Sequence, residues 1–468
     1  MKKLLGSLMA LSLVATSVTS VVSCTKKYTF DSDVWVITDG GTISDNSFNQ
    51  SAWEGASAYV VSKQDPTHYG PGDKWKSSKW RASYFEAASQ TTSDFRMAYV
   101  TSKIAGAKTM ILPGFNHGNT IGWAANLADN LIYIDGSGQG VHLDMDKNKP
   151  VAKNIIGLQY EAESSGFFAG LAAAVYLNAN VKEFGTDLKI ATYGGMDNPG
   201  AVSNYMWGFL VAFDIFNKII KEDPKYPKLG ALKSTVLNLV NTLNPDAKTL
   251  QSISKVENVL NPDESWFSQS FEAGHGKDIS DSLISKGANV IFPVAGPQTQ
   301  DTIDRIKYNK SNAKIVGVDT EQSKIYGEYY IITSALKEIA TSTQDALKNI
   351  YSLACGFDPS SNSWNKPQTD TCWINTDQSS LHHPSWTGIE PTKSIPKTVT
   401  ELIHNTSGDS TKDTAFDKIV AVLEAVYSVG VGGNKPVAAK FFPGTLANTY
   451  QSQNELKDYI WQAIEDKL

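Results

Sequence analysis

The chain has 468 residues, 41% of them hydrophobic, and a formal net charge of −6 from 42 basic and 48 acidic side chains. A mildly acidic surface argues against binding nucleic acid or anionic lipid through bulk charge. The length points to two or three globular domains, and beyond the N terminus no run of 18 apolar residues offers a membrane span.

The chain opens Met1-Lys2-Lys3, continues as an apolar run broken by small hydroxylated residues, and reaches Val21-Val22-Ser23-Cys24. A positive start, a moderately apolar middle and a small residue before cysteine read as a lipoprotein signal peptide over residues 1–23. Cys24 is then the lipidation site, and residues 24–33 are a polar tether. Two acyl chains make such an anchor stable where one is marginal. The expected location is the extracellular face of the cell membrane; the rival reading is a plain transmembrane anchor. Of the other cysteines, Cys355 and Cys372 either pair across the loop between them or stay as two thiols.

From Val34 a pattern repeats: a short apolar run, a turn rich in Gly, Asn or Asp, then an amphipathic helix. Strands are expected at 34–38, 81–85, 109–112 and 131–134, with helices at 48–62, 93–105 and 119–129. Ser47 is the expected N-cap of the first helix. The pattern restarts at 154–158 and continues through strands at 189–193, 290–292, 315–318 and 330–333. Its helices are expected at 166–176, 201–220, 274–286, 298–308 and 338–354. Strands alternating with helices predict an α/β fold with two Rossmann-like lobes, each a parallel sheet. The first lobe spans 34–155, completed by part of 335–468, and the second spans 156–334. Residues 63–79 and 355–397 (densest in Ser, Asn, Thr, Pro and Trp over 358–396) read as surface insertions, and 398–468 as a C-terminal extension with helices at 416–427 and 455–467. Residues 221–265 have no clear period.

Motifs of catalysis are scarce. The chain has no Gly-x-x-x-x-Gly-Lys-Ser/Thr loop, no His-Glu-x-x-His and no Gly-x-Ser-x-Gly elbow. Gly136-Ser137-Gly138-Gln139-Gly140 is expected to be a turn, and His382-His383 to be solvated. No catalytic residue, metal or cofactor is assigned. What stands out is the run from Asp39-Gly40-Gly41 through Ser47-Phe48-Asn49-Gln50 to Trp53-Glu54-Gly55, where a strand ends and a helix begins at a crevice. An aromatic beside a carboxamide there is suited to a planar, hydrogen-bonding ligand.

That run resembles the basic membrane protein family, the purine nucleoside receptors among ABC-transporter substrate-binding lipoproteins. Further similar motifs follow in order: Pro113-Gly114-Phe115, Ile132-Tyr133-Ile134-Asp135-Gly136, Glu161 to Gly170, Gly194-Gly195-Met196 with Gly208-Phe209, Ile315 to Gln322, and Thr333-Ser334-Ala335-Leu336-Lys337. The resemblance covers residues 34–354 and fades after 355. It implies a type I periplasmic-binding-protein fold, with two lobes joined by a hinge, that binds a ligand and turns nothing over. It also implies a nucleoside ligand and, as partners, a membrane permease and its ATPase. Carried over by position, the ligand residues are Phe48, Asn49, Asp135, Tyr205, Gly296, Asp319 and Lys337. In that reading Phe48 and Tyr205 sandwich the base, Asp319 holds the ribose hydroxyls, and Lys337 bonds a ribose oxygen or offsets the aspartate. Asn49 and Asp135 read the base edge, where a carboxylate requires an N–H and an amide pairs either way. Tyr205 stands where the family has Phe, and Pro297 replaces the glycine after Gly296. A receptor for a sugar or other small polar solute, or a surface adhesin or nucleoside hydrolase, are the alternatives.

Overall fold

Val34–Ile37 is a run of four buried apolar residues, the signature of a strand covered on both faces. In the computed structural model it is β1, the first strand of a five-stranded parallel sheet. The structure describes residues 33–64, 70, 74–78, 80–256, 266–352, 357–358, 363–364, 386–407, 409–431 and 453–468. The signal peptide, Cys24, Cys355, Cys372, His382-His383 and most of both expected insertions lie outside the described residues.

The other strands of the first sheet are β2 (Ser83–Phe85), β3 (Thr109–Pro113), β4 (Asn130–Ile134) and β5 (Ile155–Leu158). Their order is β2-β1-β3-β4-β5. Helices α1 (Phe48–Gln64), α2 (Thr92–Ile104) and α3 (Ile121–Leu127) connect them. The helix expected at 119–129 is shorter because the chain first makes a 3₁₀ turn over Phe115–Asn119. A second correction concerns the start of α1. The Asp45 carboxylate, not Ser47, accepts from the backbone N–H groups of Ser47, Asn49 and Gln50. The Ser47 hydroxyl is directed to the other lobe instead.

The second sheet contains β6 (Leu188–Gly194), β7 (Ile253–Lys255), β8 (Val290–Val294), β9 (Lys314–Asp319) and β10 (Ile331–Lys337). Away from this sheet, β11 (Phe357–Asp358) and β12 (Ser363–Trp364) form a separate two-stranded hairpin. Read from one edge the second sheet runs β7-β6-β8-β9-β10, the same order as the first, with β13 (Thr387–Ile389) added antiparallel to β10. Each lobe therefore has a point where the strand order reverses, between β1 and β3 and between β6 and β8. Ligands of such sheets bind at the carboxyl ends beside that point.

Two helices dominate the second lobe. Every residue of α4 (Ala162–Ala179) is buried, which a helix tolerates when it is apolar on all sides. It packs against α5 (Ser203–Lys221) at backbone distance: a Cβ on Gly166 would lie 2.2 Å from the Tyr205 carbonyl oxygen, and one on Gly208 2.0 Å from that of Glu163. The rest of this lobe includes α6 (Lys233–Leu243), α7 (Lys277–Ser285) and α8 (Gln298–Tyr308). After β10 the chain crosses back, and α9 (Ile339–Ile350) contributes Ile339, Ala346, Leu347 and Ile350 to the core around α1.

The tail is part of the second lobe. Phe416, Ile419, Leu423 and Tyr427 of α11 (Ala415–Val431), and Ile460, Trp461 and Ile464 of α12 (Gln453–Lys467), join the buried cluster around α4 and α5. Val399 and Ile403 of α10 (Lys397–Ile403) join it too. Residues 386–396, expected as the end of a surface insertion, are instead built into the cores, Trp386 into that of the first lobe and Ile389 and Ile395 into that of the second. Trp386, Ile389 and Ile395 are buried, and the Glu390 carboxylate accepts from the Ser334 hydroxyl and the Ser323 N–H.

Candidate functional site

The carboxyl ends of β1, β3 and β4 present three polar side chains. Asp39 follows β1, Asn116 sits in the turn after β3, and Asp135 follows β4. Asn116 Nδ2 donates to Asp39 Oδ2 at 3.0 Å, and Asn49 Nδ2 donates to Asp39 Oδ1 at 3.4 Å. Burial pushes the Asp39 carboxyl up to about 6 despite the two amides, which favour its charged form. Space for this carboxylate depends on Gly114, whose φ of +105° is open to glycine and whose missing Cβ would fall 2.0 Å from Asp39 Oδ2.

Asn49 is 4% exposed, and its amide nitrogen is held between two carboxylates, Asp39 and Asp45, the latter at 3.0 Å. Its Oδ1 is buried and has no hydrogen-bond partner in the protein. Burial also raises the Asp45 carboxyl above its ordinary range.

From the second lobe come Tyr205 on α5, Asp319 at the end of β9 and Lys337 at the end of β10. Lys337 is 2% exposed, and its ammonium lies 2.8 Å from Asp135 Oδ2, 3.8 Å from Asp319 Oδ1 and 3.5 Å from the Ala201 carbonyl oxygen. Three aromatic rings surround it, with centroids 5.3 Å (Phe48), 5.1 Å (Tyr205) and 5.4 Å (Tyr160) away, a cation–π cage. The Tyr205 hydroxyl donates to Asp319 Oδ1 at 3.3 Å, and the Ser47 hydroxyl reaches across the lobes to Asp319 Oδ2 at 3.4 Å. Both aspartates carry positive φ, 62° for Asp135 and 63° for Asp319, a strained conformation for a non-glycine residue that is common at functional turns. Burial raises both carboxyls, Asp135 to about 6, while Lys337 works in the opposite direction. Asp135 Oδ1 is buried without a partner.

Five of the seven carried-over residues, Phe48, Asp135, Tyr205, Asp319 and Lys337 itself, thus meet at the ammonium, and Asn49, the sixth, follows Phe48 in α1 and turns to Asp39 and Asp45. The seventh, Gly296, follows β8 with φ of 55°, and a Cβ there would come within 3.3 Å of the Ser47 hydroxyl. It is where the second lobe's backbone approaches the start of α1. Phe48 and Tyr205 face a common cation, and Tyr205 is fully buried with its ring edge-on to Phe292. Asp39, Asn116, Ser47 and Tyr160 were not among the expected site residues. Asp39 was legible as the acid closing β1. Tyr160, two residues past β5, and Asn116, inside a 3₁₀ turn, carry no local signal.

Residues 253–356 match the family model described as ABC transporter substrate-binding protein PnrA-like. The uncharacterized lipoprotein MG040 homolog of Mycoplasma pneumoniae is 24% identical over 360 residues, covering 68% of this chain and 54% of that protein. A Mycoplasma genitalium lipoprotein, MG040, is 23% identical over 370 residues, 68% of this chain and 60% of its own. The chain thus spans little more than half the length of these two relatives. The ABC transporter nucleoside-binding protein BmpA of Lactococcus lactis is 22% identical over 327 residues, 66% of this chain and 72% of that one. A solved ABC transporter solute-binding protein from Aeropyrum pernix K1 shares the fold, with a TM-score of 0.50 and 16% identity over 93% of this chain and 98% of its own. The ordered motifs of residues 34–354 and the match over residues 253–356 agree, and the chain is similar to the PnrA-like substrate-binding proteins of ABC transporters.

Proposed function

We propose that this protein is the external receptor of an ABC importer, held to the membrane by lipid on Cys24, and that it captures nucleosides between its lobes. The observation that supports this most is the pairing of aromatic and acidic groups from both lobes around one point. Phe48 and Tyr205 lie 5.3 and 5.1 Å from the Lys337 ammonium, with Asp135 and Asp319 beside it. A flat heterocycle gains about 1–3 kcal/mol from each aromatic face it stacks on. Pentose hydroxyls supply donors to a carboxylate such as Asp319, and the lysine supplies a donor to a ring oxygen. The BmpA relative is named as a nucleoside-binding protein, which agrees with this reading.

Capture would draw the lobes together through the strand crossings near residue 337, and a permease with its ATPase would take the closed form. The site's acid excess, with Asp135 and Asp319 sharing one Lys337 and Asp39 held by Asn49 and Asn116, favours nucleosides over their phosphorylated forms.

Thermal unfolding with nucleosides, free bases and ribose tests the proposal. A nucleoside at 100 times its Kd adds about 2.7 kcal/mol of stability. Stabilisation by ribose equal to that by any nucleoside would instead favour the sugar receptor.

A further inference from the structure

We propose that the outer face of α2 rests on the lipid surface to which Cys24 ties the chain. This contact presupposes the lipid anchor put forward above and names the face of the protein that meets the bilayer. The inner face of α2 is ordinary: Phe95, Ala98, Tyr99 and Ser102 are buried against the first sheet. The opposite face of such a helix is as a rule charged or polar. Here its exposed positions after Thr92 are Ser93, Arg96, Met97, Val100 and Ile104, without a carboxylate among them. Met97 is 49% exposed, Val100 46% and Ile104 82%. Steps of three and four set these three side chains in one row, which the exposed Ala105-Gly106 turn continues. Single exposed apolar residues are common, whereas a contiguous apolar patch marks a contact surface. The flanking cations are engaged, the Arg96 guanidinium 4.1 Å from the Trp123 ring centroid and the Lys103 ammonium 3.6 Å from Asp129. The attraction this face offers is therefore apolar and does not require an anionic partner.

The course of the chain says what covers it. After the turn that follows Ile104, the backbone N–H groups of Lys108 and Thr109 both donate to the Asp33 carbonyl oxygen at 2.9 Å. The row on α2 thus ends beside Asp33, and Cys24 stands nine residues before Asp33 in the sequence. Nine residues span at most about 30 Å, so an acyl group on Cys24 keeps the bilayer within that distance of the row. The helix itself, 13 residues long, covers about 20 Å. Tethering makes the contact intramolecular, and a patch too small to hold a free protein on a membrane then suffices. Asp33 precedes β1 and Asp39 follows it, so the contact lies toward the opposite edge of the sheet from the ligand site.

The test places the intact lipidated chain, its acylation at Cys24 checked by mass, on phosphatidylcholine vesicles and treats it with peroxide. Sulfoxide formation at Met97 is followed beside that at Met196, a partly exposed methionine of the second lobe. The reference is the double variant Val100→Gln/Ile104→Gln, which removes the apolar row with a residue that suits a helix at least as well. Met97 is expected to oxidise at least about fivefold more slowly in the parent than in the variant, whatever the surface density, with Met196 equal in both. Equal Met97 rates in the two proteins would overturn the lipid contact and leave the anchor standing. Protection confined to high surface density would overturn it too, by placing a second copy of the chain on this face. An unacylated Cys24 would overturn the anchor and the contact together.

Discussion

The Lys337 ammonium lies 2.8 Å from Asp135 Oδ2, so the last parallel strand of one sheet is tied by charge to β4 of the other. Both side chains are almost wholly removed from solvent, at 1% and 3% exposure. Lys337 also stands 3.8 Å from Asp319, one cation serving two buried carboxylates from different lobes. Buried ion pairs add little stability relative to apolar replacements, but breaking one by removing a single partner leaves an uncompensated charge.

Replacing Lys337 by Met removes the charge while keeping most of the side-chain volume. The expected cost at neutral pH is about 3–5 kcal/mol in denaturant unfolding. Without the lysine, the Asp135 and Asp319 carboxyls move further up, so the variant regains stability as the pH falls toward 4. The double variant Lys337→Met/Asp135→Asn should recover part of the loss at pH 7. An unchanged unfolding midpoint for the single variant would show that the ion pair does not form in solution.

Acid stability rests on groups of opposite sense. His117 is fully buried, with Nδ1 2.7 Å from the Tyr99 hydroxyl and Nε2 3.1 Å from the Ile37 carbonyl oxygen, and burial lowers its pKa to about 3. A depressed folded pKa means stability present above about 6.5 and lost as the pH falls toward 3. Asp39 and Asp135 are raised to about 6, so their contribution is full below about 3.8 and is lost as the pH rises through 6. Between pH 4 and 6 the two effects oppose each other, and each group's limiting slope is about 1.4 kcal/mol per pH unit. In His117→Phe the trend of the buried carboxyls should remain, with Glu163 and Glu424, also raised by burial, acting in the same sense as the aspartates. That variant is less stable overall, yet its unfolding free energy should rise as the pH drops from 6 to 4 relative to the parent protein. Parallel pH profiles for the two proteins would count against the buried neutral imidazole.

The C-terminal helix α11 reaches the site indirectly. The Tyr427 hydroxyl donates to the Pro199 carbonyl, and Glu424 accepts from Ser164 at 2.5 Å. Pro199 belongs to the loop that supplies the Ala201 carbonyl to Lys337 and leads into α5 with Tyr205. Tyr427→Phe removes one hydrogen bond and keeps the ring against Trp207. The expected global cost is about 1 kcal/mol, with faster amide exchange concentrated at residues 197–204. Exchange that accelerates uniformly along α11 instead would mean that the bond steadies the helix, not the loop.

Much of this architecture is legible in the sequence, for a physical reason. Strands such as Ile155–Leu158 and Val290–Val294 are buried on both faces, and continuous apolar runs between glycine or aspartate turns betray them. β13 and its surroundings were not legible. Thr387–Ile389 is three residues long, too short for any period, and its place is set by pairing with β10 some fifty residues earlier. The same applies to β7, a three-residue strand at the sheet's other edge. Helical spacing marked α11 and α12, but nothing local says that their apolar faces close over α4 and α5. Within the site, Asp135 and Asp319 announced themselves as acids at strand ends. The orientation of the Asn49 amide did not, because it depends on Asp39 and Asp45 together, and only the fold brings both to the same nitrogen.

In the proposed reading, stacking on Phe48 and pentose recognition by Asp319 are separable by mutation, because the two residues stand in different lobes. Phe48 opens α1 in the first lobe and Asp319 closes β9 in the second, with the Ser47 hydroxyl as the polar link between them. Phe48→Ala removes one aromatic face from nucleosides and free bases alike, and the loss of about 1–3 kcal/mol corresponds to a roughly 5- to 150-fold weaker Kd for both. Asp319→Asn keeps the shape but replaces a charged acceptor by an amide, which can still accept from Tyr205 while gripping a ribose diol less strongly. It should weaken nucleosides by roughly tenfold and leave free bases within about threefold. Equal losses for base and nucleoside in Asp319→Asn would place the carboxylate at the heterocycle, and unchanged affinities in both variants would remove the ligand from this cleft altogether.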